Sequence, residues 1–127
     1  MLNNSIKKIL IIDDSYLMRK SILHLLKVID VFEVVGEAEG IEDGIEYIDK
    51  LEPDFIILDY QMRSGTGIDL LKYIKDKDLK IKVIMLSNYG DEKYKKLALE
   101  NGAIAYLEKS LETDQLIDSI LSIVKSQ

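Results

Sequence analysis

Five short runs of apolar residues recur along the chain, separated by segments in which apolar residues have helical spacing. The runs are rich in β-branched side chains and lie near residues 7–12, 32–38, 55–59, 82–87 and 103–107. Strands that alternate with helices are typical of a parallel sheet whose strands are joined by crossover helices. We therefore predict an α/β fold made of five strand–helix units.

The predicted helices have apolar stripes that can pack against the sheet. The stripe of the first helix consists of Met18, Ile22, Leu25, Leu26 and Ile29. Arg19, Lys20 and His24 lie off this stripe, and we interpret His24 as a surface residue. The third and fifth helices have similar stripes, formed by Ile68, Leu71 and Ile74 and by Ile117, Ile120, Ile123 and Val124.

Polar side chains stand where four of the predicted strands end. In chain order they are Asp13 and Asp14, then Asp59, then Ser87, then Glu108 and Lys109. In an open α/β sheet, ligands bind in the crevice beyond the carboxyl ends of the strands. The placement therefore predicts one convergent site rather than scattered surface charge.

Most of these residues also have an ordinary structural explanation. Asp13 and Asp14 could cap the first helix, because carboxylates suit its free N–H groups. Ser87 could be a loop hydroxyl, and Tyr106 could be a core residue of the fifth strand. Asp59 is different, since a carboxylate that ends an apolar run is unfavourable unless charges or hydrogen bonds compensate. A functional role is the better interpretation of Asp59.

Composition restricts the chemistry of such a site. The 127 residues are expected to form one domain, 1–127, and they include no cysteine and one histidine. Thiolate sites and zinc are therefore disfavoured, and oxygen ligands for a hard cation remain. The formal net charge of -6 argues against a nucleic-acid-binding surface. No apolar run approaches the roughly 18 residues of a membrane span, so we expect a cytoplasmic protein without membrane insertion.

The joint pattern resembles the receiver domain of two-component response regulators over the whole chain. The matching features are Leu58-Asp59-Tyr60-Gln61-Met62 with Gly67 beyond, Met85-Leu86-Ser87, and the segment from Gly102 to Lys109. The resemblance implies a doubly wound, flavodoxin-like (CheY-like) five-stranded sheet with strand order 2-1-3-4-5. The switch point then lies between the first and third strands, whose ends carry the acids.

The resemblance also implies a metal site. Three neighbouring carboxylates repel each other, and a magnesium ion relieves this repulsion while binding one or two of them directly. By the family pattern, Asp14 and Asp59 are direct ligands of Mg²⁺, for which Mn²⁺ could substitute. Asp13 would act through a bound water, and the main-chain carbonyl of Gln61 would complete the protein's ligands.

The same resemblance implies a role for each remaining polar residue. Asp59 would be the phosphoacceptor, attacking a phosphoryl group on a kinase histidine to form an acyl phosphate. Lys109 would supply a positive charge to one phosphoryl oxygen, and Ser87 would donate a hydrogen bond to another. Ser87 and Tyr106 would form the switch, because the hydroxyl moves toward the phosphate and the aromatic ring turns into the vacated space.

The implied protein is a signalling switch rather than an enzyme with an external substrate. A sensor histidine kinase or a histidine phosphotransfer protein would dock beside Asp59 along the first helix. The signal would leave through the fourth helix, fifth strand and fifth helix toward an unknown downstream protein, with Lys95, Lys96, Leu99 and Tyr106 near the centre of that face. No nucleic acid is expected to bind this domain itself, and a phosphorylation-linked dimer is compatible with the family.

The ends of the chain favour a stand-alone regulator. Met1 directly precedes the first strand, and Gln127 follows the last helix closely, so we expect no output domain. A receiver that belongs to a longer transcriptional regulator is the alternative.

Two residues depart from the family pattern. Arg63 and Ser110 stand where prolines are common. Arg63 is expected to add a cation close to the phosphoryl group. Ser110 is predicted to follow a trans peptide bond, because a cis bond before serine is unfavourable by roughly 2.5–4 kcal/mol. It is also predicted to cap the fifth helix.

Three other classes of protein account for these residues less well. A haloacid-dehalogenase-like phosphatase needs a second acid two residues after its nucleophile, where this chain has Gln61. A flavin-binding module would need a phosphate loop after the first strand, where Asp13 and Asp14 would repel phosphate. A non-phosphorylated pseudo-receiver, acting only as an interaction module, would ordinarily have lost Asp59, Lys109 or the acid pair.

Overall fold

The computed structural model describes residues 6–88, 90, 92–110 and 113–126. The strands are β1 (Lys7–Ile12), β2 (Phe32–Ala38), β3 (Phe55–Asp59), β4 (Gln61–Met62), β5 (Gly65–Thr66), β6 (Lys82–Ser87) and β7 (Ala105–Glu108). The helices are α1 (Tyr16–Leu26), α2 (Ile41–Leu51), α3 (Gly67–Asp76), α4 (Glu92–Glu100) and α5 (Thr113–Lys125). Within the described ranges, no helix is both long enough and apolar enough to cross a membrane.

Five parallel strands form the central sheet in the order β2-β1-β3-β6-β7. This order is the predicted 2-1-3-4-5, because β4 and β5 form a separate two-stranded hairpin that the sequence did not predict. Four strands have the predicted bounds, but the last begins at Ala105 rather than at residue 103. The difference arises because Ala103 still belongs to the turn that ends α4, where its N–H donates to the Ala98 carbonyl at 3.1 Å.

Helices cover both faces of the sheet, and alternate residues of each strand point into opposite cores. The core beside α1 and α5 contains Ile9, Ile11, Phe55, Ile57, Ile84 and Leu86 with Ile22, Leu26, Leu116, Ile120 and Val124. The core beside α2, α3 and α4 contains Leu10, Ile12, Ile56, Leu58, Val83 and Met85 with Ile48, Leu70, Leu71 and Ala98. The doubly wound α/β fold is therefore confirmed.

The first helix begins at a serine rather than at the acid pair. Ser15 is the N-cap residue, and its Oγ accepts a hydrogen bond from the Met18 N–H at 3.1 Å. Asp13 Oδ1 accepts from the Ser15 N–H at 2.9 Å instead. Because Ser15 supplies the cap, the capping explanation of Asp13 and Asp14 does not hold.

Gly67 lets α3 begin directly against the end of β3. A β-carbon at this position would lie 2.6 Å from the main-chain oxygen of Asp59 and 2.9 Å from Met85 Cε. The Gly67 N–H donates to the Tyr60 carbonyl at 2.7 Å, and the Tyr60 N–H donates to the Leu86 carbonyl at 3.0 Å. These contacts fix the chain on both sides of the Asp59 backbone.

Candidate functional site

Three carboxylates lie together at the carboxyl ends of two neighbouring strands. Since Ile12 of β1 lies opposite Leu58 of β3, Asp13 and Asp14 emerge beside Asp59. The three acids, here called the acid cluster, each place an oxygen within 4.8 Å of the others. Asp13 and Asp59 are buried, and Asp14 is partly exposed. The structure thus brings together the three acids that the strand ends predicted.

Lys109 bridges the two buried acids. Its Nζ lies 2.8 Å from Asp13 Oδ2 and 3.0 Å from Asp59 Oδ1, and only 10% of its side chain is exposed. Although Asp13 Oδ2 is ion-paired, it receives no well-aligned hydrogen bond from a described residue. The cluster therefore contains a buried oxygen with unused capacity to bind a proton donor or a cation.

Burial and neighbouring charges shift the pKa values of Asp59 and Lys109. The pKa of Asp59 is raised to about 6, first because burial disfavours its charged form and then because Asp13 is close by. Lys109 and the Gln61 main chain oppose this rise. Burial alone would lower the pKa of Lys109, but its close contacts with the negative charges of Asp13 and Asp59 outweigh burial and raise that pKa. A neighbouring cation would therefore favour the charged form of Asp59.

Arg19 donates a hydrogen bond to the main chain of Asp13, a member of the acid cluster. Sequence analysis did not assign Arg19 to the site. It lies off the apolar stripe of α1 as predicted, yet it is buried. Its guanidinium donates to the Asp13 carbonyl at 2.8 Å and to Glu37 Oε1 at 3.2 Å. Lys20 Nζ donates a hydrogen bond to Glu37 Oε2. This bond, together with the contact from Arg19, lowers the pKa of Glu37 and keeps that carboxylate charged. No local sequence signal pairs Arg19 with Glu37, because the two residues belong to different elements.

Arg63 lies beside the third acid. Its main-chain N–H donates to Asp14 Oδ2 at 2.8 Å, and its Nη1 lies 3.9 Å from the same oxygen. The Arg63 side chain is 77% exposed, against 19% for that of Asp14. Arg63 thus sits at the edge of the acid cluster, as expected for an added cation near the site.

Ser87 ends the strand next to that of Asp59, and Gln61 follows Asp59 in the chain. Ser87 is buried at the end of β6, the strand next to β3, and its carbonyl accepts from the Lys109 N–H at 2.8 Å. Gln61 begins the hairpin that follows Asp59, with its side chain exposed. The main chain of Gln61 and the end of β6 at Ser87 are therefore next to Asp59, the candidate phosphoacceptor.

Three tyrosines connect this region to α4 and β7. Tyr60, directly after Asp59, packs edge-on against Tyr94 of α4 with ring centroids 5.1 Å apart. It packs in the same manner against Tyr106 of β7 at 6.3 Å. Burial, followed by the two neighbouring tyrosines, raises the pKa of Tyr60, so its ring stays neutral. The predicted switch residue Tyr106 therefore contacts the neighbour of Asp59.

The remaining predictions concern residues at the margin of the site. No peptide bond within the described residues is cis, which confirms the trans bond before Ser110. The Ser110 hydroxyl donates to Glu108 Oε2 at 3.2 Å. Its predicted cap on α5 involves residues 111 and 112, which lie outside the described residues. His24 is exposed on α1, as expected.

Comparison with known proteins identifies the family. The response regulator receiver domain family matches residues 9–121. The chain therefore belongs to the response regulator receiver domain family, and the resemblance inferred from the acid pair, Asp59, Ser87 and Lys109 is confirmed.

Two relatives and one solved structure illustrate the range of similar proteins. The transcriptional regulatory protein DegU of Brevibacillus brevis is 34% identical, with 89% of this chain matching 48% of that protein. The chemotaxis protein CheY of Listeria monocytogenes is 34% identical, with 93% of this chain matching 98% of that protein. The response regulator domain of Thermotoga maritima CheB has a TM-score of 0.85 at 30% identity and 95% coverage of both chains. The chain thus spans about half the length of DegU and nearly all of CheY.

Proposed function

We propose that this protein is a phosphorylation-activated switch in which Asp59 accepts a phosphoryl group from a phosphohistidine. The observation that carries this proposal is the Asp59 carboxylate, which is buried within an acid cluster and lies 3.0 Å from the Lys109 ammonium. A buried cluster of like charges is unfavourable for folding. Its presence in a receiver domain is therefore best explained by a function that uses the charge.

The acid cluster fits a hard divalent cation. Its donors are all oxygen atoms, which Mg²⁺ prefers, and the buried Asp13 Oδ2 has unused capacity for a cation. We assign Asp14 and Asp59 as direct ligands of Mg²⁺ or Mn²⁺, with Asp13 acting through a water and the Gln61 carbonyl completing the set. When bound, the cation would neutralise charge on the acids and on the phosphoryl oxygens.

Asp59 acts as the nucleophile in the proposed transfer. One carboxylate oxygen forms a bond to phosphorus while the bond from phosphorus to the donor's imidazole nitrogen breaks, and that nitrogen keeps the electron pair. The products are an acyl phosphate on Asp59 and an unphosphorylated histidine on the donor. A pKa of about 6 leaves most of the Asp59 carboxyl ionised at pH 7, as a nucleophile requires. The protein modifies itself and turns over no external substrate.

Lys109 and Ser87 receive the phosphoryl group. Lys109 exchanges its contact with Asp59 Oδ1 for a phosphoryl oxygen, to which it supplies a positive charge. Ser87 donates its hydroxyl to a second phosphoryl oxygen. The hydrogen bond from the Lys109 N–H to the Ser87 carbonyl keeps the two residues in fixed positions relative to each other.

The tyrosines carry the change to the surface. When Ser87 moves toward the phosphoryl group, Tyr106 turns into the space that it leaves. Because Tyr94 and Tyr106 both pack on Tyr60, this movement alters the packing of α4 against β7. The proposed output face consists of α4, β7 and α5 and includes the exposed residues Lys95, Lys96 and Leu99.

The proposed partners approach different sides of the molecule. The phosphodonor, a sensor histidine kinase or a histidine phosphotransfer protein, docks in the cytoplasm along α1. There, Tyr16 and Leu17 are exposed apolar residues close to the acid cluster. The output partner binds the α4-β7-α5 face, and phosphorylation can also favour a dimer. The domain itself binds no nucleic acid, in keeping with its net charge of -6.

The lengths of the relatives suggest two forms of output. DegU is a transcriptional regulatory protein about twice as long as the matched segment, and the Listeria CheY is a chemotaxis protein of nearly the same length as this chain. We therefore propose that this receiver controls either an attached regulatory domain or a separate protein. Reading the genomic open reading frame past Gln127 distinguishes the two.

Phosphorylation by a small phosphodonor tests the function directly. Wild-type protein is incubated with acetyl phosphate with and without Mg²⁺, and the phosphoprotein is measured by phosphate-affinity electrophoresis. We expect Mg²⁺-dependent modification that Asp59→Asn reduces to background. Asp54→Asn is the matched control, because it changes the acid at the other end of β3 and is expected to leave the modification intact. Equal modification of wild type and Asp59→Asn would falsify the assignment.

Backbone NMR with and without beryllofluoride tests the output face. We expect Mg²⁺ and beryllofluoride to shift signals throughout residues 92–108 of the wild type but not of Asp59→Asn. If shifts beyond the acid cluster are confined to α1 and α2, the assignment of the output face is wrong.

A further inference from the structure

The metal-free acid cluster is shared between two cations of the chain. Lys109 pairs with Asp13 and Asp59, whereas Arg63 contacts Asp14. Both contacts engage carboxylate oxygens that the proposed metal site needs. In the proposed function Lys109 contacts the phosphoryl group after metal binding, whereas Arg63 has no assigned role.

Two polar groups of Arg63 converge on one Asp14 oxygen. The main-chain N–H donates to Oδ2 at 2.8 Å, which is a short hydrogen bond to a charged acceptor. The guanidinium adds a longer ion pair to the same oxygen at 3.9 Å, and its Nη2 donates to the Asp14 main-chain carbonyl at 3.4 Å. The position of Arg63 matters for the first of these contacts, because proline, which has no N–H, could not make it.

The turn that presents Arg63 is held on both sides. Met62 and Gly65 pair across the β4-β5 hairpin, which leaves Arg63 and Ser64 at its turn. Ser64 Oγ accepts from the Ile41 N–H at 3.1 Å, which attaches the turn to the start of α2. Because Ser64 is fixed in this way, the neighbouring Arg63 N–H stays directed at Asp14 without depending on the arginine side chain.

We propose that Arg63 competes with the divalent cation for Asp14 and thereby lowers the affinity of the receiver for Mg²⁺. This inference rests on the proposed metal site. A cation bound to Asp14 draws electron density from Oδ2 and repels the guanidinium, so the Arg63 contacts weaken as the metal enters. The exposed guanidinium contributes through charge and is therefore screened by salt, whereas the N–H contributes through a hydrogen bond.

Calorimetric titration of the unphosphorylated protein with Mg²⁺ tests the proposal without phosphorylation chemistry. Arg63→Met removes the guanidinium and retains the N–H, and we expect it to bind Mg²⁺ about two- to fivefold more tightly, in keeping with a partly exposed ion pair. Arg63→Lys retains the charge and should stay close to wild type. Lys72→Met is the matched control, because it removes the same charge from an exposed position on α3 and should leave the affinity unchanged.

Salt and NMR separate this competition from a general effect of charge. The advantage of Arg63→Met should shrink as NaCl is raised, since screening weakens the guanidinium in the wild type. In the wild type, the amide signal of Arg63 should move on addition of Mg²⁺ as its bond to Asp14 weakens. The same affinity in Arg63→Met and wild type, or weaker binding by Arg63→Met, overturns the proposal while the metal site stands. Absence of Mg²⁺ binding in every protein overturns both this proposal and the proposed metal site.

Discussion

An aspartate lies at each end of strand β3. The carboxylate of Asp54 accepts a hydrogen bond from a neighbouring strand, whereas the charged form of Asp59 is disfavoured. Asp54, just before the strand, accepts from the Lys8 N–H through Oδ2 at 2.8 Å, and its own main chain bonds to Lys8 and Lys82. Asp59, at the other end, is buried beside Asp13 and has its pKa raised to about 6. Asp54 therefore joins neighbouring strands, whereas Asp59 lies where burial and the charge of Asp13 disfavour its ionised form.

The difference separates an acid with a structural role from the acid that we propose as the phosphoacceptor. A structural acid finds main-chain N–H groups that satisfy its oxygens. A functional acid is placed where like charge and burial oppose ionisation, and a cation must compensate. Here the compensating cation is Lys109, which comes from the end of a different strand.

The largest expected effect comes from removing that cation. Lys109→Met leaves Asp13 and Asp59 buried without a positive partner, which should lower the free energy of unfolding by about 2–4 kcal/mol. Lys8→Met is the matched change at the other end of the sheet. Lys8 Nζ donates to the Leu51 carbonyl at 3.3 Å, so this change should cost less than about 1 kcal/mol. Urea denaturation in EDTA at pH 7 measures both. Equal losses of unfolding free energy in Lys109→Met and Lys8→Met would contradict the view that Lys109 compensates buried charge.

A somewhat smaller loss is expected from filling the space beside Asp59. The added methyl group in Gly67→Ala meets the Asp59 main-chain oxygen, which cannot move without displacing β3, so we expect a loss of about 2–3 kcal/mol. Gly102→Ala serves as the comparison, because no described residue other than its two chain neighbours lies within 4 Å of the added carbon, whereas its φ of 107° opposes the change. That strain should cost about 1 kcal/mol. A larger loss for Gly102→Ala in the same urea assay would contradict the crowding argument.

Amide substitutions of the two aspartates should change stability in opposite directions. Asp59→Asn removes the unfavourable charge, so we expect the metal-free protein to gain about 1–2 kcal/mol at pH 7. Asp54→Asn weakens a charge-assisted hydrogen bond and should lose about 0.5–1 kcal/mol. Thermal unfolding in EDTA measures both changes. A loss of stability in Asp59→Asn would contradict the view that this carboxylate is strained.

The gain in Asp59→Asn should depend on pH in a defined window. The carboxyl has a pKa of about 6 in the folded protein and 3.8 as the reference value. Between these values the folded protein retains a proton that the unfolded chain releases, so the wild type loses stability as pH rises from about 4 to 6. Asp59→Asn lacks this loss, and the two proteins should converge below about pH 4. A constant difference down to pH 4 would assign the gain to another cause.

The smallest expected effect concerns the contact between Tyr60, which follows Asp59, and Tyr94 of α4. If Tyr60 and Tyr94 stabilise each other through their edge contact, a double-mutant cycle with leucine at both positions should give a coupling energy of about 0.5–1 kcal/mol. The cycle is measured by urea denaturation of the two single variants and the double variant. Additive losses would mean that the rings are neighbours without an energetic connection.

Local residue patterns explain how much of this protein could be predicted. The apolar runs predicted the observed bounds of four strands, because continuous β-branched, apolar runs bounded by polar residues suit strands that a parallel sheet buries on both faces. The last strand was misplaced by two residues because its start depends on how the end of α4 packs. The β4-β5 hairpin was missed, since two-residue strands carry no periodic signal.

The sequence by itself determined that Asp13, Asp14, Asp59, Ser87 and Lys109 gather at one edge of a sheet. In a parallel sheet every strand end faces the same side, so this follows from the order of elements alone. Only the tertiary structure decided which charges are paired there. It placed Lys109 between two acids, buried Arg19 beneath Asp13, and brought the Arg63 N–H to Asp14 across 49 positions of the chain. Such pairings depend on distances of a few ångströms between side chains from separate elements, and these distances exist only once the helices have packed against the sheet.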